Sequence, residues 1–127
     1  MKLRLVVVGI EGDVNLGYLL RLAENFDVSE IFLVRPTASI QSSTRWAARA
    51  SVKASELVVV PTLDDALRGA ELSICTSDEY SAKDMLRTAV NPETAANLAA
   101  QREGVVALVV GRESVGLTRD ELSKCDL

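Results

Sequence analysis

Asn15, Gly17 and Arg21 stand in the stretch Gly9-Ile-Glu-Gly-Asp-Val-Asn-Leu-Gly-Tyr-Leu-Leu-Arg21, which runs out of an apolar segment into an amphipathic one. Asn15 offers a donor and an acceptor near a helix start. Arg21, about one and a half turns into that helix, can reach a phosphate with a planar fork of donors. Gly12 and Gly17 suit places where the backbone turns or a ligand comes close. A second stretch, Gly111-Arg-Glu-Ser-Val-Gly-Leu117, follows another apolar run in the same way and puts the acid Glu113 just after it. Gly111 would let a backbone lie against a flat ligand, and Gly116 and Leu117 precede a helix cap at Thr118. Loops at the carboxyl ends of strands are where open α/β sheets bind ligands. Each loop is therefore expected to supply half of one site. Taken singly, each is also an ordinary strand-to-helix turn with permissive glycines.

The elements that must bring these loops together follow a simple rhythm. Leu3 to Val8 is a short valine-rich run, the mark of a strand buried on both faces. Leu16, Leu19, Leu20, Ala23 and Phe26 then repeat at helical spacing over Val14 to Phe26, with Asp13 as the expected cap. Further strands are predicted at Glu30 to Val34, Leu57 to Val60, Glu71 to Cys75 and Val105 to Val110. Helices are predicted at Ser42 to Ala54, Thr62 to Gly69, Ser81 to Thr88, Pro92 to Gln101 and Thr118 to Lys124. Alternation of this kind predicts a doubly wound α/β fold, an open parallel sheet with helices on both faces and right-handed crossovers. With 127 residues and no repeat, low-complexity tract or linker, the expectation is a single domain over residues 1–127.

Composition narrows the chemistry. There is no histidine, which argues against a zinc site or a histidine-based triad, and no metal site is expected. Cys75 and Cys125 form neither a CxxC motif nor a disulfide framework, and a reduced, cytoplasmic location fits best. No apolar run approaches the roughly 20 residues needed to cross a membrane, and the apolar part of the start is too short for a signal peptide. Neither GxGxxG nor GxxxxGK is present. The net charge of −4 argues against blanket nucleic-acid binding, yet no acid occurs between Ile31 and Ser55, where Arg35, Arg45, Arg49 and Lys53 fall. Arg45, Arg49 and Lys53 recur every fourth residue, along one helix face beside Trp46. Two readings stand side by side. The row is a solvated face whose tryptophan packs inward, or, with Arg21 and Arg35, it neutralises the phosphates of a polynucleotide.

The pair of loops resembles the SPOUT-class RNA methyltransferases of the SpoU or TrmH type, which methylate the ribose 2′-hydroxyl. Asn15, Gly17 and Arg21 match the first motif of that family in type and spacing, and Gly111, Glu113, Gly116 and Leu117 match its Gly-x-Glu-x-x-Gly-Leu. Asn25-Phe26, Leu33-Val-Arg-Pro36 and Glu121-Leu-Ser-Lys-Cys-Asp126 are also similar, and the Thr76-Ser77 loop looks most like the TrmJ branch, which methylates tRNA. The resemblance implies S-adenosylmethionine as methyl donor, bound against Thr76, Ser77, Gly111, Gly116 and Leu117, and an RNA substrate, tRNA or rRNA. It implies a homodimer as well. It assigns Arg21 to positioning the nucleotide and assisting deprotonation, Asn15 to orienting Arg21 or the ribose, and Glu113 to organising the second loop and the arginine.

The family's third motif, which completes a C-terminal knot and the cofactor pocket, is absent before Leu127. The expectation is a chain truncated at its C-terminus, with weak or no cofactor binding and no methyl transfer by these 127 residues alone. The competing expectation is a non-catalytic RNA-binding or dimerisation module of the same fold. Replacing Arg21 separates the two, since a binding module has no activity to lose.

Overall fold

A computed structural model of the chain describes residues 1–47, 57–77 and 90–127. In order, the elements are β1 (Lys2–Val8), α1 (Asp13–Asn25), β2 (Glu30–Val34), α2 (Ile40–Ala47), β3 (Val58–Val60), α3 (Leu63–Leu67), β4 (Ala70–Cys75), α4 (Pro92–Ala100), β5 (Val105–Val110) and α5 (Arg119–Ser123). The strands form one sheet in the order β3-β2-β1-β5-β4, and every pairing is parallel. This is the doubly wound architecture that the apolar periodicity predicts. The helix expected over Ser81 to Thr88 lies outside the described residues, as does the part of the Ser42 to Ala54 helix beyond Ala47.

The sheet is buried on both faces because β1 and β5 carry apolar residues at nearly every position. Leu5 and Val7 pack with Leu16, Leu20 and Ala23 of α1 and with Ile31 and Leu33 of β2. Val6 and Val8 point the other way, to Leu63 and Ala66 of α3, Ala107 and Val109 of β5, and Cys125. Leu72, Ala99 and Val106 seat α4 against β4 and β5. Buried Arg4 ties α3 to the sheet, pairing with Glu30 at 2.6 Å and donating to the carbonyls of Ala66 and Arg68 at 2.8 Å each.

Strand order matters for function. The chain leaves β1 toward β2 on one side, while the chain that follows β5 runs through α5 back along β4 on the other, so the crevice outside the carboxyl ends of β1 and β5 is the topological switch point, where such sheets bind ligands. The loop after β1 contains Asn15's approach, and the loop after β5 contains Glu113.

Two expectations are corrected. Asp13 does not cap α1. It is the first helical residue behind Gly12, and its carboxylate instead accepts from the Ser39 amide at 2.6 Å, fixing the start of α2. The cysteines are joined: Cys75 and Cys125 form a disulfide with Cα atoms 5.8 Å apart, across 50 residues of sequence. The pairing has a clear cause. The segment after α5 lies along β4, with Asp126 and Leu127 amides donating to the Ser73 carbonyl and the Cys75 amide donating to Leu127. No local spacing announces that contact.

Candidate active site

Gly9 ends β1 in the left-handed region (φ +64°), a conformation that favours glycine and turns the chain toward α1. The loop leads through Glu11 and Gly12 into the helix, where Asn15 is exposed at the first turn. Gly17, expected at a turn or a ligand contact, lies inside α1 and is buried.

The second loop is a small closed turn. Arg112 and Gly116 exchange backbone hydrogen bonds, the Gly116 amide donating to Arg112 at 2.8 Å and the Arg112 amide to Gly116 at 3.3 Å. Gly116 takes a left-handed conformation (φ +71°) to close it. Glu113, Ser114 and Val115 thereby form its tip. Gly111 has a steric requirement of its own: a Cβ there would come within 2.4 Å of the Gly116 carbonyl carbon and 2.5 Å of the Leu117 nitrogen. The backbone of Gly116 and Leu117 fills the space.

Glu113 joins the two loops. Its Oε1 accepts from the Glu11 amide at 3.1 Å, and its Oε2 accepts from the Gly12 amide at 2.8 Å and the Asn15 Nδ2 at 3.1 Å. Ser114 adds a second tie, its hydroxyl donating to the Glu11 carboxylate at 2.7 Å. Burial pushes the Glu113 pKa up, but the hydrogen bonds from Asn15 and from the amides of Glu113, Glu11 and Gly12 outweigh it, and the net shift is downward. The group is thus a fixed anion with both oxygens engaged.

Arg21 is elsewhere on the helix. Asn15, Tyr18 and Arg21 follow one another at three-residue spacing along α1, and the Arg21 guanidinium sits over the Tyr18 ring, 5.8 Å from its centre. No hydrogen bond joins Arg21 to Asn15 or Glu113, so the structure brings Asn15 and Glu113 together and leaves Arg21 exposed beside them. A cavity of about 380 Å³ opens along this helix face, lined by Ile10, Asn15, Tyr18, Leu22, Gly111 and Glu113 among others.

Thr76 and Ser77 lie exposed at the end of β4, next to β5, where the Thr76 amide and hydroxyl both donate to the Val109 carbonyl at 3.1 Å. They therefore share one edge of the sheet with Gly111, Gly116 and Leu117. Arg35 is held at the end of β2 in a left-handed conformation (φ 45°), donating to the Pro61 carbonyl at 3.4 Å and lying 3.7 Å from Glu121. Arg45 falls on α2, while Arg49 and Lys53 lie outside the described residues. Among the described residues no group of three or more histidine, cysteine or acidic side chains is placed to hold a metal, and no helix is long and apolar enough to cross a membrane.

Sequence reasoning missed Tyr18, Glu11 and Ser114, and gave no role to Arg112 or Glu121. Glu121 alone carried a usable signal, the Thr118-x-x-Glu spacing of a capping box, which the structure contains in full.

Residues 2–127 match the SpoU rRNA Methylase family. The chain belongs to that family. It is 38% identical over 128 residues to the tRNA (cytidine-2′-O-)-methyltransferase TrmJ of Sulfolobus acidocaldarius, covering 99% of this chain and 54% of that protein. It is 34% identical to the tRNA (cytidine/uridine-2′-O-)-methyltransferase TrmJ of Pectobacterium atrosepticum, covering 98% of this chain and 52% of the other. Among solved structures, a probable methylase family protein from Haemophilus influenzae superposes with a TM-score of 0.86 at 26% identity, over 98% of this chain and 52% of that one. TrmJ from Z. mobilis superposes equally well, at 0.86 with 23% identity, over 99% and 56% of the two chains, and supports the fold. The chain spans about half the length of the curated relatives it matches. Of the motif residues that suggested the family, Asn15 and Glu113 meet at the switch point, while Gly17 is buried within α1 and Arg21 lies farther along it.

Proposed function

We propose that the protein transfers the methyl group of S-adenosylmethionine to a ribose 2′-hydroxyl of tRNA. The observation that carries this reading is the Glu113 carboxylate, which locks the loop after β5 to the helix start at Asn15, at the switch point of the sheet. The curated relatives named above act on the same hydroxyl of tRNA nucleotides.

Thr76, Ser77, Gly111, Gly116 and Leu117 would hold the cofactor. They expose polar side chains and main chain at the ends of two adjacent strands, a surface that suits an adenosine lying along the sheet edge. When bound, S-adenosylmethionine supplies an activated methyl on a sulfonium sulfur. The chain's own task is to bring the hydroxyl to that methyl and to see its proton removed. Glu113 is unsuited to take the proton, since both its oxygens already accept hydrogen bonds and its pKa is lowered. It acts by fixing Asn15, whose Nδ2 uses one hydrogen on Glu113 and whose carboxamide oxygen faces no described donor. Asn15 can then orient the ribose. Arg21, exposed and charged, grips the phosphate beside the reacting sugar, and that phosphate assists in deprotonation. Arg35, Arg45, Arg49 and Lys53, which fall in one acid-free stretch of sequence, would add contacts to RNA phosphates. The reading carries with it a cytoplasmic location, where tRNA is found.

We infer further that the protein works as a homodimer. Val14, Tyr18, Leu22 and Phe26 of α1 and the residue that follows it recur every fourth position, and each is exposed. A second copy seated on this row would cover it and the cavity beside it.

The test is methylation of tRNA and rRNA transcripts by the full-length protein with labelled S-adenosylmethionine. Transfer to a tRNA ribose is expected, and Arg21→Ala should lower it by about 100-fold while RNA affinity stays nearly unchanged. Equal transfer by the Arg21→Ala protein, or none by the native one, refutes the reading.

A further inference from the structure

We infer that Arg112 and Glu121 form a positioning pair, which anchors the Arg112–Gly116 turn so that its tip meets Asn15; this rests on reading Asn15 and Glu113 as parts of the transferase site. The Arg112 guanidinium grips Glu121 with two hydrogen bonds, Nη1 to Oε1 at 2.9 Å and Nη2 to Oε2 at 3.1 Å. The Glu121 side chain is only 7% exposed. Its Oε1 also accepts from the Thr118 amide at 2.8 Å, so the carboxylate fastens the turn to the start of α5.

Arg112 sits at the root of both loops. Its Nη1 donates to the Gly116 carbonyl at 3.4 Å, bracing the turn from outside, and its side chain lies across Gly9, where a Cβ would come within 2.7 Å of Nε. The loop after β1 therefore packs on Arg112 while the loop after β5 is built from it. The only side chain on the tip that reaches Asn15 is Glu113, one residue along the chain from this anchor. A part-buried two-point ion pair fixes direction as well as distance, whereas a single-point contact leaves the arginine free to swing. The contact between Asn15 and Glu113 is exposed, and the Glu11 and Gly12 amides hold the same carboxylate. The pair behind the turn sets the direction from which Glu113 meets these donors.

The experiment is a double-mutant cycle between Asn15→Ala and Glu113→Gln, read by urea unfolding of the full-length protein, in the native background and again with Glu121→Gln. Glutamine keeps the shape and one acceptor for the Thr118 amide but removes the charge and the fork. In the native background the two substitutions should cost less together than the sum of each alone. With Glu121→Gln that coupling should vanish, and methyl transfer should fall by about 100-fold with little change in KM for tRNA. Should Glu121→Gln fail to fold, Arg112→Lys keeps the charge, removes the second bond and should abolish the coupling in the same way. Coupling that survives either substitution overturns the inference, leaving the pair a mere support of α5. The unfolding data answer the question even if the protein transfers no methyl group, so failure of the proposed function is seen separately.

Discussion

Glu113 and Glu121 are both carboxylates held charged, for different reasons. Glu121 is lowered first by its hydrogen bonds with Arg112, against the opposing effect of burial, while Arg112 is raised chiefly by the same contact. At Glu113 burial opposes ionisation, and the donors from Asn15 and the loop amides prevail. Each group therefore titrates below its ordinary 4.5 when the chain is folded. The unfolded chain binds more protons in that range, so the stability these groups lend is complete above the ordinary value and is lost as pH falls through the lower folded value. The urea midpoint should accordingly drop on acidification from neutrality to below 4.5, and the Glu121→Gln protein should show a flatter profile. An identical profile for the two would mean that Glu121 contributes nothing to acid sensitivity. At this scale the sequence showed the right residue types. It did not show that Glu113 faces Asn15, because that contact spans 98 residues and depends on β1 lying beside β5.

Elements were the most legible level. The five strands fall where short apolar runs place them, and α3 and α5 are capped by Thr62 and Thr118, whose side chains accept from the Asp65 and Glu121 amides. Caps of this kind are local, so they can be read locally. The failures were at sites where a neighbour in space decides. Gly12 rather than Asp13 precedes α1, because Asp13 is taken by Ser39. Glycines make the same distinction measurable. Gly69 has φ +83° and open space around it, so Gly69→Ala should cost only the backbone strain, about 1 kcal/mol. Gly111 has no such strain, but a Cβ there would lie 2.4 Å from the Gly116 backbone and 2.5 Å from that of Leu117, which cannot step aside without opening the turn. Gly111→Ala should therefore cost more, about 3 kcal/mol, and should weaken the tie from Glu113 to Asn15. Thermal unfolding of the two variants checks the order, and equal losses would contradict it.

For the whole molecule, the apolar row on α1 makes a prediction about assembly. Leu22 and Phe26 are 50% and 73% exposed, a poor state for residues four apart on one face unless something covers them. Leu22→Arg should convert a dimer to monomers in sedimentation while thermal unfolding of the monomer stays near native, since the side chain contributes little to the core. A native protein that sediments as a monomer would remove the row from any interface. By itself the sequence determined the alternation of strands and helices, the motif residues at two strand ends, and hence the family, because these depend on local periodicity and fixed spacing. Tertiary structure alone decided the strand order, and with it the meeting of Glu113 and Asn15, the grip of Arg112 on Glu121 across Gly9, and the bond between Cys75 and Cys125. Apart from the Arg112–Glu121 contact, which spans nine residues, each joins segments whose adjacency follows from how parallel strands pair, and a linear pattern of apolar and polar residues does not specify that pairing.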